Sequence, residues 1–83
     1  MLRRGIWVDR TGKVVRYNLA YINHSLYGGD NGRVLGYDSA HGRPHRHFKG
    51  ELTALSGGSF AHVDALFQRE WAKIMKEVTH AKD

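Results

Sequence analysis

The sequence predicts an α+β domain: a small antiparallel β-sheet of about four strands with one long C-terminal amphipathic helix packed on one face. Three observations carry this. Apolar and polar residues alternate with period 2 through the first two thirds of the chain. Glycine and asparagine punctuate that region at "RTG", "YGGDNGR" and "SAHGRP". After "SGGS" the period changes to 3.6. A chain of 83 residues buries only roughly 60–65% of its extended-chain surface, so residues 1–83 form a single domain around one apolar layer.

"GIWVDRTGKVVRYNLAYI" reads as a hairpin, with a short strand near residues 4–9, a turn centred on Arg10–Gly12, and a longer strand from Lys13 to about His24. In the second strand Val15, Tyr17, Leu19 and Tyr21 fall on the apolar face, and Val14, Arg16, Asn18, Ala20 and Ile22 on the other. "YGGDNGR" holds residues that tolerate positive φ and leads into a third strand, "RVLGYD". "HRHFKGELTAL" reads as a fourth strand, with His45, His47, Lys49 and Glu51 pointing one way and Arg46, Phe48, Gly50 and Leu52 the other. The helix runs from about Phe60 to His80. Its stripe is Val63, Leu66, Phe67, Trp71, Ile74, Met75 and Val78, with Ser59 as N-cap, Asp64 near the first turn, and Lys73 and Lys76 in the C-terminal half. Phe67 and Trp71, four apart, are its anchors to the sheet.

The chain has no cysteine, which excludes disulfides and thiolate metal sites. No apolar run approaches the ~20 residues of a membrane span, and Asp9 interrupts the apolar N-terminal stretch where a signal peptide would be continuous. The expected compartment is the cytoplasm. The net charge is +5, unevenly spread: residues 1–49 hold nine Lys/Arg against three Asp, a net +6, and residues 50–83 hold four basic and five acidic residues. The excess positive charge lies in the half that carries a histidine cluster, as expected of a surface that docks a phosphate backbone, although solubility alone also explains such a charge.

That cluster, "YDSAHGRPHRHFKGE", places His41, His45 and His47 among Arg43, Arg46 and Lys49. Three readings stand. As a metal site, His45 and His47 share a face, with His41 or Asp38 as a third ligand, but the neighbouring cations repel an ion. As an acid/base site, two co-facial histidines ~6.5–7 Å apart flank one phosphodiester, one taking the 2′-hydroxyl proton and the other protonating the leaving oxygen. Arg46 or Lys49 then stabilises the phosphorane-like charge, and Tyr37 and Asp38 orient an imidazole or donate a proton. As a solvated loop, the histidines have no role, which is also the reading for the isolated His24, His62 and His80. Pro44 stiffens the approach to His45 and admits a cis turn. The glycine-rich stretches lack the Walker spacing.

Asn31 to Glu51, "NGRVLGYDSAHGRPHRHFKGE", resembles the signature of the TumE-like family of small bacterial toxins from toxin–antitoxin operons. In that family a "RYDN" or "GYDN" strand end is followed by a short loop and an "HRH" strand. The matching positions are Gly36-Tyr37-Asp38, His41-Gly42 and His45-Arg46-His47, and the likeness extends from about Val14 to Val78. Ser39 stands where Asn is usual, and the chain is shorter at its N-terminus than many members. The resemblance implies a cytoplasmic toxin acting on RNA and neutralised by a cognate antitoxin with a DNA-binding domain. It carries Tyr37, Asp38, His45, Arg46 and His47 as site residues, with His41 beside them. Arg16, Arg33, Arg43 and Lys49 complete the expected substrate-binding set, and no cofactor is expected. The competing class is a non-catalytic module that binds nucleic acid or protein through Arg16, Tyr17, Arg33 and Arg46. An open sheet edge admits a homodimer by sheet extension, or an antitoxin strand.

Overall fold

The computed structural model describes residues 1–39, 43–55 and 59–81, with side chains through Val78. Within them lies one antiparallel sheet in sequential order: β1 (Leu2–Val8), β2 (Val14–Ile22), β3 (Arg33–Asp38), β4 (His45–Phe48) and β5 (Glu51–Ala54). A 3-10 turn, Asp30–Gly32, precedes β3, and helix α1 (Phe60–Ala81) closes the domain. The α+β class holds, with five strands where the sequence suggested about four.

The extra strand comes from a turn hidden inside "HRHFKGELTAL". Lys49 and Gly50 both take positive φ, 45° and 84°, which is the two-residue hairpin geometry whose twist matches that of the flanking strands. The chain therefore reverses after Phe48, pairing Phe48 with Glu51 and His47 with Leu52. Lys49 and Glu51 leave the histidine face. Leu52, expected opposite the histidines, joins that face and is largely exposed.

Two bulges alter the alternation. Between β1 and β2, Trp7 pairs with Arg16 but Val8 with Val14, so Val15 is extra. Val14 packs against the core while Val15 is exposed, the reverse of the period-2 expectation. Between β2 and β3, Tyr21 pairs with Leu35 but Ile22 with Arg33. Val34 is the extra residue there. It turns into the core, fully buried, and Arg33 is delivered to the opposite face of the sheet.

The core lies between α1 and one sheet face: Tyr17, Leu19 and Tyr21 of β2, Val34, Leu35 and Tyr37 of β3, and Val63 and Phe67 of α1. Tyr17 is thus a core residue against Phe60, at 5.4 Å between ring centroids, and not part of an exposed binding face. Phe67 meets Tyr37 edge-on at 6.3 Å. Ser59 caps α1, its hydroxyl accepting from the His62 N–H at 3.2 Å. Asp64 lies beyond the first turn, which carries no acid, and accepts both Arg4 guanidinium nitrogens at 2.7 and 2.9 Å, tying β1 to α1. At ~33 Å the helix is longer than the sheet face it covers. Ile74 still packs against the core and Val78 is half-buried, while Met75, expected on the apolar stripe, is exposed. Among the described residues no helix is long and apolar enough to cross a membrane.

Candidate functional site

Strand pairing arranges the uncovered face of the sheet into rows. One row runs Arg3, Ala20, Gly36, His47 and Leu52, and the next runs Gly5, Asn18, Asp38, His45 and Ala54. Both histidines of β4 therefore stand on the open face, side by side.

His47 is held at both ring nitrogens. Nε2 is 2.8 Å from Asp38 Oδ2, and Nδ1 is 2.9 Å from an Arg33 guanidinium nitrogen. A guanidinium can only donate and a carboxylate accepts, so the partners fix the tautomer: Nε2–H donates to Asp38 and the Nδ1 lone pair accepts from Arg33. Arg33 is itself positioned by Asp30, whose Oδ2 accepts its Nε–H at 2.8 Å, and it lies 3.7 Å from Asp38 Oδ2.

Two features of the chain place Arg33 there. The bulge at Val34 turns it onto the open face, and Gly36 leaves the slot through which it reaches His47. A Cβ on Gly36 would stand 2.7 Å from Arg33 Cδ. His45, half-buried in the adjoining row, is the cross-strand neighbour of Asp38.

The other face of the same strand carries a second polar cluster. Arg46 Nε donates to Glu70 of α1 at 3.0 and 3.1 Å, Arg46 makes a further ion-paired contact with Glu70, and the Tyr37 hydroxyl donates to the same carboxylate. Burial, with Glu70 beside it, pushes the Tyr37 phenol up to about 12. Glu70 is also raised by burial, but hydrogen bonds from Arg46 and Tyr37 outweigh that and hold it below the ordinary carboxylate range. The Arg46 guanidinium is raised, chiefly by its hydrogen bond to Glu70.

The expected site is thus divided by the sheet. His45, His47, Asp38 and Arg33 come together, and Arg16 joins them on the same face, where its guanidinium lies 4.9 Å from the centre of the Trp7 ring. Arg46 and Tyr37 do not join them. They face α1, so neither can touch a phosphate held between His45 and His47. Lys49 is also separated, in the β4–β5 turn with its ammonium 5.6 Å from the Phe48 ring. Arg43 is exposed beside Pro44, with no cis peptide bond among the described residues. His41 lies outside the described residues. Among the described residues no group of three His, Asp or Glu side chains is placed to hold a metal ion.

Asp30, Gly36, Trp7 and Glu70 were not legible as site residues. Asp30 and Gly36 read as turn and strand punctuation. Trp7 had a signal, an aromatic two residues after a glycine on a strand otherwise rich in arginine. Comparison with protein-family models, with curated proteins and with solved structures finds no match to this chain.

Proposed function

We propose that the protein is the toxin of a bacterial toxin–antitoxin pair and acts on RNA in the cytoplasm as a metal-independent endoribonuclease. The observation that carries the catalytic part is His47, clamped between Asp38 and Arg33 on the face it shares with His45. The toxin assignment and a DNA-binding cognate antitoxin rest on the likeness of "GYDSAHGRPHRH" to the TumE-like signature.

A phosphodiester arriving at this face competes with His47 for the Arg33 guanidinium, because phosphate oxygens accept charge-assisted hydrogen bonds more strongly than an imidazole does. Once Arg33 turns to the phosphate, the Nδ1 lone pair is free. His47 then takes the 2′-hydroxyl proton while Asp38 holds its Nε2–H. The 2′-oxygen bonds to phosphorus as the bond to the 5′-oxygen breaks, His45 in its protonated form gives a proton to that oxygen, and Arg33 stabilises the pentacoordinate charge. The products are a 2′,3′-cyclic phosphate and a 5′-hydroxyl. A metal is disfavoured at His47 because Arg33 occupies Nδ1 and brings positive charge with it.

The test is cleavage of single-stranded RNA by purified protein in the presence of chelator. Chelator-resistant cleavage to cyclic-phosphate ends, lost in folded His45→Ala and in folded His47→Ala, is the expected result. Cleavage that survives in both variants sinks the reading, and chelator sensitivity replaces it with a metal-dependent hydrolase. A second reading is favoured by the same engaged imidazole: a module that binds nucleic acid through this face without cutting it. It predicts salt-dependent binding with no turnover.

A further inference from the structure

The open face extends well past the histidines. A groove of about 600 Å³ crosses it, floored by Gly5, Asn18 and Ala20, with Arg33 at one end and Trp7 at the other. Gly5 is what opens the second end. With no side chain there, the outer edge of the Trp7 indole lies against it, and a Cβ on Gly5 would lie 3.1 Å from two adjacent atoms of that edge. Arg16, the cross-strand partner of Trp7, lies against one side of the indole, and Trp7 as a residue remains 47% exposed.

An exposed indole alone is ordinary on a protein surface; its pairing with Arg16 beside the groove is what sets Trp7 apart. A guanidinium packed against a half-open aromatic ring, beside a groove with further arginines, is the pairing that takes a nucleotide, since the ring stacks a base and the cation meets its phosphate. The row that ends at Gly5 and the Trp7 ring begins at His45 and passes through Asp38 and Asn18. Three strand spacings of ~4.8 Å, roughly 14 Å in all, separate the two ends. That is more than one nucleotide and too far for the reacting one.

We propose that Trp7 and Arg16 form a base-stacking subsite for single-stranded RNA, holding a nucleotide remote from the scissile phosphate while Arg33 holds the near end. The proposal rests on the reading of this face as an RNA site and deepens it to a substrate class. A duplex keeps its bases stacked on one another and cannot offer one to the indole. The stacking also gives little sequence preference, because every base presents a π-face.

The test is binding, not cleavage, so the two readings fail separately. A fluorescently labelled single-stranded RNA is titrated against the H45A/H47A variant, and against the same variant carrying Trp7→Ala, Trp7→Phe or Arg16→Ala. Trp7→Ala is expected to weaken binding about tenfold and Trp7→Phe to recover most of it. Arg16→Ala should lower the slope of log affinity against log salt by about one, which the tryptophan variants leave unchanged. Unchanged affinity in folded Trp7→Ala, equal affinity for duplex, or no binding of single strand overturns the subsite. Binding through Trp7 by a wild-type protein that never cleaves defeats the catalytic reading and leaves the subsite standing.

Discussion

Arg46 and His47 are neighbours in the chain and face opposite ways from one strand, each in a polar cluster with a carboxylate. Burial does not distinguish them: the Arg46 and Glu70 side chains are each 28% exposed, and those of His47 and Asp38 are 18% and 16%. The origin of the partners does. Arg46 and Tyr37 are bound to Glu70 of α1, so their hydrogen bonds join the two layers of the fold. Asp30, Arg33, Asp38 and His47 all come from β3, β4 and the turn before them, so their bonds join nothing that the sheet does not already hold. The helix-side cluster is fastened, and the open-face cluster can change partners without unfolding anything.

That contrast is broken most directly by exchanging the expected losses. His47→Ala and His45→Ala, measured for RNA cleavage and for thermal unfolding, should each lose about 10²- to 10⁴-fold in rate with little change in midpoint. Glu70→Ala should do the opposite. It strands a buried phenol and a guanidinium, and should cost about 2 kcal/mol in urea unfolding, with the rate per folded molecule nearly kept. A Glu70→Ala protein that is fully stable but inactive would place the chemistry on the helix side.

The same cluster sets the pH range of stability. Glu70 has a folded pKa below its ordinary value of 4.5, so its contribution is complete above that value and is lost as pH falls through the folded one. Tyr37 is raised from 10 to about 12, so its contribution is complete below pH 10 and is lost as pH rises to 12. Stability against pH should thus fall at both ends. Tyr37→Phe should flatten part of the alkaline decline, to which Tyr17, also raised by burial, contributes, and Glu70→Gln should flatten part of the acid one.

How much of this was legible follows from which rule each residue obeyed. The helix was legible in its bounds and its apolar stripe as far as Ile74, because Val63, Phe67, Trp71 and Ile74 keep the 3.6 period and Ser59 caps them, although Met75, expected on the stripe, is exposed. The alternation of β4 was legible as far as Phe48, which is why His45 and His47 were correctly paired on one face. It failed at Lys49, a residue with no ordinary signal for positive φ. Arg33 was named as a phosphate ligand from its charge. Its bond to His47 was hidden, since it depends on a bulge at Val34 that leaves no mark in a period-2 pattern.

Gly36→Ala tests that hidden bond at smaller cost. The added methyl meets the Arg33 side chain, which can move, and not the backbone. Stability should fall by no more than about 1 kcal/mol, while Arg33 is pushed from His47 and cleavage drops about tenfold. If cleavage is untouched, the guanidinium is not where the reaction needs it.

The smallest effect is expected where the geometry looks strongest. Arg4 and Asp64 make a two-pronged ion pair between β1 and α1, yet the arginine side chain is 48% exposed and water competes for it. The hydrogen bonds from Arg4 hold Asp64 below its ordinary range, so the pair should weaken as acid protonates the carboxylate. A double-mutant cycle of Arg4→Ala and Asp64→Ala in urea should give a coupling of about 0.5 kcal/mol near neutral pH, falling in high salt. The Arg46–Glu70 cycle should give several times that and resist salt. Equal couplings would mean that solvent exposure does not separate the two pairs. A larger value for Arg4–Asp64 would make the β1 edge, and not the buried tyrosine, the main fastening between sheet and helix.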